Sequence, residues 1–432
     1  MMERQHILET FGTWVTFLFQ ALPRKLRPSM FELLIGCIVS RSGHLSEALL
    51  SVRIHRFWNT YYKVITEGVF SWLALSQQWI ILLLRVLQPK EILLAIDDTC
   101  VTRSSKKAPA VAYHHNHAHK PNRPSFLWGQ LSVFVALICI TSHKTAAVPL
   151  LQRLIPKRGN RSKLQAGLLL TRLFTRWVGR TRPVRLLLDA WYMKGPLLRG
   201  VLACGISVIG QVRRDTVCYS PFQRTETPRR GRPAKYGPKC TFSWVEHTLT
   251  LREGHLQAYG QNQRCQFYSF TARVRFLEGR VCRMVWCRLQ PEKGSWTTWC
   301  LLLSTDPELS PERIIKLYTL RWWIEPMFKE LKHHCGLSET WQQSKQALAR
   351  WSFVVLLAHG LSKLVALCFS PDTLKKLHPI PWRMGQPMTA GWVSHALGAV
   401  FRNVRVRPFW DRKCQKIWYP EEFLETPFQK TA

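Results

Sequence analysis

Two short apolar runs in this chain end abruptly in aspartate: ILLAI runs into Asp97 and Asp98, and RLLL runs into Asp189. Runs of four or five β-prone residues bounded by charge are too short for helices and read as buried strands. The segment from Lys163 to Trp177 between them has helical spacing, and LWGQLSVFVALICI and AAVPLL read as further strands. Strands with a helix between them predict a mixed α/β core.

The rest of the chain arranges itself around that core. Residues 1–89 carry helical periodicity, with Phe31, Leu33, Leu34, Cys37 and Ile38 on one spacing and Arg24, Lys25, Arg27, Arg41, Arg53 and Arg56 nearby, which predicts a basic helical domain. The core's first part is expected over 90–215. Short alternating segments such as FYSFTARVRF predict a β-rich insertion over 216–305, helical spacing returns over 306–370, and 371–432 is a basic, Pro-rich C-terminal region. The 13 cysteines form no CxxC pair and fall in apolar runs, so they are expected to be reduced core residues. The apolar run Trp351 to Phe369 holds His359 and Lys363, which argues for a buried helix over a membrane span. The N-terminus, MMERQHILETFGTW, lacks the basic start and long apolar stretch of a secretory signal, so a cytoplasmic protein is expected.

Charge narrows the partner. With 62 Lys+Arg against 26 Asp+Glu the net charge is +36, which calls for a densely negative partner, nucleic acid above all. Carboxylates are scarce, so their placement is informative. Between Asp98 and Asp189 there is no Asp or Glu, while the same stretch holds 16 Lys+Arg. Acids collected at the ends of strands can hold Mg²⁺ or Mn²⁺. An aspartate at a strand end can equally start a turn.

A third acid falls in Tyr318-TLRWWIEPMFKELK, which reads as an amphipathic helix. At 100° per residue, Tyr318, Arg321, Glu325 and Lys332 share an arc of roughly 60°, while Leu317, Leu320, Ile324, Met327, Phe328 and Leu331 centre about 100° away. An ordinary solvated face would have the same spacing. Pro326 disfavours the helical region at Glu325 and removes a hydrogen bond, so the helix must kink or begin again there.

The order Tyr318, two residues, Arg321, three residues, Glu325, six residues, Lys332 resembles the Y-R-E-K signature of DDE transposases encoded by bacterial insertion sequences, the IS-four-type branch and its relatives. LLAIDDT and LLLDAWY resemble that family's first and second aspartate motifs in the same order, and the resemblance spans roughly residues 90 to 370. It implies an RNase H-like (retroviral-integrase-like) mixed sheet core with a β-rich insertion and a helical N-terminal domain. It also implies that Asp97 or Asp98, with Asp189 and Glu325, binds two Mg²⁺ or Mn²⁺ ions and acts as the catalytic and metal-holding set. Tyr318, Arg321 and Lys332 would contact phosphates of the element's end. Relatives that open a DNA hairpin stack a flipped base on tryptophan, which nominates Trp322, Trp299 and their neighbour Trp296. The implied partners are double-stranded DNA, as terminal inverted repeats and target, and a second copy of the chain in a homodimer on DNA, with no membrane.

Four features stand beside the resemblance. Arg230 and Arg232 lie in an RGRP tetrapeptide similar to an AT-hook core, although a generic phosphate-binding loop has the same composition. His114, His115, His117 and His119 form a local cluster. Period-two alternation puts Asp97 on the side of Thr99, the D-x-S/T arrangement common in RNase H-like cores, which favours Asp97 over Asp98 as the first acid. The chain is read as a cut-and-paste transposase, with a non-catalytic DNA-binding derivative and an RNase H-like nuclease as rivals.

Overall fold

The structure, a computed structural model, describes residues 2–115, 124–142, 144–156, 160–179, 181–221, 235–378 and 388–425. The chain divides into two compact units, one made of Lys90–Asp97 and Lys163–Ile324, the other of Met1–Pro89, Asp98–Ser162 and Glu325–Ala432. Strand β1 (Ile92–Thr102) begins in the first and ends in the second.

In the first unit β1 pairs in parallel with β5 (Val184–Leu188), and β5 pairs in parallel with β6 (Ser207–Val212). The middles of these strands are apolar, with Leu94, Leu186 and Val208 fully buried, as expected of parallel strands covered on both faces. Helices α6 (Asn160–Val178) and α7 (Gly195–Ala203) precede and follow β5. Beyond β6 the sheet turns antiparallel, through β12 (Cys300–Ser304), β11 (Val281–Pro291) and β10 (Gln261–Val274). The hairpin partner β9 (Arg252–Ala258) and the short β7 (Cys218–Tyr219) both pair with β10, β8 (Lys239–Cys240) pairs with β7, and α8 (Phe242–Thr248) lies between β8 and β9. Helix α9 (Pro311–Thr319) is capped by the Ser310 hydroxyl, which accepts from the Arg313 amide, and is followed by a 3-10 turn, Leu320–Trp323.

The second unit pairs β2 (Val111–His115), β3 (Phe126–Ile140) and β4 (Thr145–Leu154) antiparallel. Helices α1 (Met2–Phe19), α2 (Arg27–Ser40), α3 (Leu45–Leu50), α4 (Trp58–Thr66) and α5 (Trp72–Leu87) precede them in the chain. Helices α10 (Ile324–His334), α11 (Lys345–Cys368), α12 (Pro371–Leu377) and α13 (Ala390–Phe401) follow. The end of the chain adds a two-stranded ribbon, β13 (Trp410–Asp411) with β14 (Lys416–Ile417), and α14 (Glu421–Glu425). Helix α11 is long and apolar enough to cross a membrane, yet 94% of its most apolar stretch is buried within the protein. Two of its buried polar residues meet one acid: Glu330 of α10 stands 2.9 Å from His359 Nε2 and 2.5 Å from Lys363 Nζ. All 13 cysteines are free thiols, with Cys287 and Cys300 in direct cross-strand contact.

The segment from Tyr318 to Lys332 is interrupted, as Pro326 led us to expect, but the break falls earlier, at Leu320–Trp323. Its interruption is the 3-10 turn, after which α10 begins at Ile324 and Pro326 falls in its first turn. There the missing N–H has no helical acceptor to serve, so proline is tolerated. Of the four signature residues, Glu325 and Lys332 fall in α10, two turns apart and so on one face.

Candidate active site

The parallel register builds the centre of the site in the first unit. Ala95 pairs with Leu187 and Leu188 pairs with Gly210. Carried to the strand ends, the same steps put Asp97 beside Asp189 and Asp189 beside Gln211, each about 5 Å from the next as neighbouring strands require. Three polar side chains thus stand in a row where three apolar runs end. Asp98 is one residue on, so it points to the other face of β1.

The segment after β12 crosses this row. The Tyr318 hydroxyl of α9 donates to Gln211 Oε1 at 3.0 Å, and burial pushes its phenol up, so it stays a protonated donor. Arg321, from the 3-10 turn, places Nη1 3.3 Å from Asp97 Oδ2, with the two side chains only 15% and 20% exposed. Asp189 accepts the Tyr192 amide on Oδ1 at 3.0 Å, so it also anchors the turn that follows β5. That turn packs tightly: a Cβ on Gly210 would stand 2.3 Å from Met193 Sδ, a distance no side chain tolerates. The acids Glu91 and Asp306 are engaged elsewhere. Both bind Arg185, which lies at the opposite end of β5 from Asp189.

In the second unit α10 lies against the sheet. Lys332 Nζ donates to the Cys100 carbonyl of β1 at 2.8 Å, and the Phe328 ring meets Phe134 of β3 edge-on at 5.3 Å. Glu325 is exposed on the first turn, two turns from Lys332 along one face. The loop after α10 is clamped. Arg103 donates to Gln130 Oε1 at 2.8 Å, to the Ser338 carbonyl at 2.6 Å and to the Thr340 carbonyl at 2.9 Å. Glu339 accepts from the Ser42 hydroxyl at 2.7 Å and the Gly43 amide at 3.0 Å.

The nominated tryptophans have different surroundings. Trp322 is 38% exposed and meets Tyr259 edge-on at 6.1 Å. Trp299 is half-buried against Tyr268, with the Arg288 guanidinium 4.7 Å from its ring, and Arg288 also reaches Trp296 at 4.9 Å. Arg230 and Arg232, like His117 and His119, lie outside the described residues. Gln211 is the residue that sequence reasoning missed, although it too ends an apolar run, SVIG.

The donors in the row fit a hard divalent cation in kind, because carboxylate oxygens are what Mg²⁺ and Mn²⁺ prefer. Two such groups stand side by side. Among the described residues no three His, Cys, Asp or Glu side chains form a closed metal-holding group. In this structure the Arg321 guanidinium supplies positive charge to Asp97.

No curated protein matches this chain. Among solved structures, a cryo-EM piggyBac transposase synaptic complex with hairpin DNA matches at 12% identity and a TM-score of 0.39, covering 87% of this chain and 70% of that one. A family model described as DDE superfamily endonuclease matches residues 18–273, a stretch that contains Asp97, Asp189 and Gln211. That match takes in more than half of the sequence, and the chain belongs to the DDE superfamily endonuclease family.

Proposed function

We propose that this protein is a DNA transposase that cleaves the ends of a mobile element and joins them to target DNA, and that it belongs to the IS-four-type branch with an RNase H-like core. The observation that carries the reading is the row Asp97, Asp189 and Gln211 at the ends of parallel strands, with Tyr318 and Arg321 brought onto it. Asp97, Asp189 and Glu325 would hold two divalent ions. When bound, such ions supply activation of an attacking oxygen and charge relief at a leaving one.

The chain's own groups have separate tasks. Arg321 presents a planar fork suited to a phosphate, and in the absence of DNA it neutralises Asp97. A phosphate arriving at Arg321 would release the Asp97 carboxylate, so DNA binding and readiness of the acid are linked. Gln211 accepts the Tyr318 hydroxyl and holds it in place, and burial keeps that phenol protonated. A +36 chain suits a duplex partner, and joining two ends calls for two copies on DNA.

The test uses DNA flanking the gene, cloned into a plasmid and incubated with the full chain and Mg²⁺. Wild type is expected to cut at short inverted repeats, and Glu325→Gln to bind the same ends while losing cleavage. Cleavage by Glu325→Gln at the wild-type rate would remove Glu325 from the reaction. Wild-type binding without cleavage under Mg²⁺ or Mn²⁺ would favour a DNA-binding derivative.

A further inference from the structure

Strands β11 and β12 place Cys287 directly opposite Cys300, with the two sulfurs 3.3 Å apart. Opposed residues of an antiparallel pair share one face of the sheet, their Cα atoms about 4.5–5.5 Å apart. A disulfide spans Cα separations of about 4.4–6.8 Å, so these two thiols can join without any change in strand pairing. Leu302 of β12 pairs with Gln211, so Cys300, two residues earlier, lies on the face where Gln211 accepts the Tyr318 hydroxyl.

The surroundings of the two thiols are unequal. Cys287 is 2% exposed, whereas Cys300, at the start of β12, is half-buried. Hydrogen bonding from Cys287 holds the Cys300 thiol below its ordinary 9.0 against the effect of burial, and the Arg214 guanidinium pulls the same way. That contact, together with burial, pushes Cys287 well up. One sulfur is thus suited to carry negative charge and the other to keep its proton. The thiolate is the nucleophilic form, so Cys300 is both the reactive member and the one that reagents reach. Exposure alone would single out Cys414, but hydrogen bonding to Asp411 and the charge of that carboxylate raise it.

We propose that Cys300 and Cys287 form a peroxide-reactive thiol site, in which Cys300 attacks hydrogen peroxide and Cys287 resolves the product into a disulfide. The Cys300 thiolate attacks one peroxide oxygen, the O–O bond breaks, and the departing hydroxide takes a proton from solvent, leaving Cys300 as a sulfenic acid. The Cys287 sulfur then attacks the Cys300 sulfur and gives up its proton. The S–O bond breaks, and hydroxide leaves with that proton as water. Two thiols and one peroxide become one disulfide and two waters, the sulfur pair losing the two electrons that the peroxide gains. The site involves no DNA and stands or falls apart from the transposase reading.

Arg288 and Lys293 lie between the two cysteines, so trypsin puts them in separate peptides, Met284–Arg288 and Gly294–Arg313, each with a single cysteine. The full chain is treated with hydrogen peroxide, its remaining thiols are blocked with N-ethylmaleimide, and the unreduced digest is mapped by mass spectrometry. Wild type should yield these two peptides joined, ahead of any oxidation at Cys414, and dithiothreitol should part them. Cys287→Ser should leave Cys300 as a sulfenic acid that dimedone captures, and Cys300→Ser should leave Cys287 a thiol that the maleimide blocks. Cys287 and Cys300 still unlinked after Cys414 has oxidised, or Cys300 linked to Cys265 instead, would overturn the assignment. So would oxidation of Cys287 in Cys300→Ser at the wild-type rate. The wild-type map decides the pairing even where a serine variant does not fold.

Discussion

Gln211 accepts the Tyr318 hydroxyl and stands in register beside Asp189, so an uncharged amide organises one side of the acidic row. Leaving a largely buried phenol without its acceptor costs about 1–3 kcal/mol. Gln211→Ala should lower the thermal midpoint by that measure, and Tyr318→Phe in the Gln211→Ala background should add little. A double-mutant cycle checks this, with strictly additive losses counting against the contact. The aspartates were legible because a charge interrupting an apolar run has few structural excuses. Gln211 was not, because its amide carries no charge and Val212 continues the run. The partner of Arg321 was equally hidden, since 224 positions separate it from Asp97. The parallel register, carried on to the strand ends, sets Asp97 in line with Asp189.

Among the elements, α10 is the one whose placement decides what Glu325 can do, and the clamp behind it is built from distant parts of the sequence. Arg103 makes hydrogen bonds to Gln130 and to the Ser338 and Thr340 carbonyls. Arg103→Met keeps a comparable stem and strips those donors, so about 2–4 kcal/mol of stability should be lost, given roughly 1.5–3 kcal/mol for a hydrogen bond to a charged group. Urea unfolding checks it, and a change within about 0.5 kcal/mol, typical of an ordinary surface substitution, would show that the clamp is dispensable. Periodicity correctly signalled helix on both sides of Trp322, and Pro326 signalled the interruption. What periodicity could not give was the phase across a break, because a 3-10 turn advances differently from an α-helix and resets every angle after it.

At the scale of the whole molecule, acid should destabilise the fold through the trio beneath α10. Burial holds the His359 imidazole below its ordinary 6.5, against the pull of Glu330. Burial also opposes the Glu330 charge, but His359 and Lys363 outweigh it and hold that carboxyl down to about 2. Both folded values lie below the unfolded ones, so the unfolded chain binds more protons and stability falls as pH falls. The loss should begin as pH drops through about 6.5 for His359 and continue from about 4.5 toward 2 for Glu330. Thermal midpoints from pH 7 to 4 check the sign, and a midpoint that rises on acidification would contradict it. His359 and Lys363 were readable as residents of a buried helix, whereas Glu330 became their partner only through folding. The central claim is that Asp97 and Asp189, adjacent in register, form the reactive pair while Asp98 faces away. It is tested most directly by Mg²⁺-dependent cleavage of the element's ends by Asp97→Asn, Asp98→Asn and Asp189→Asn, each normalised to DNA bound. Loss of a metal ligand worth several kcal/mol should slow Asp97→Asn and Asp189→Asn by about a hundredfold or more, with Asp98→Asn within about tenfold of wild type. A dead Asp98→Asn beside an active Asp97→Asn would contradict the account.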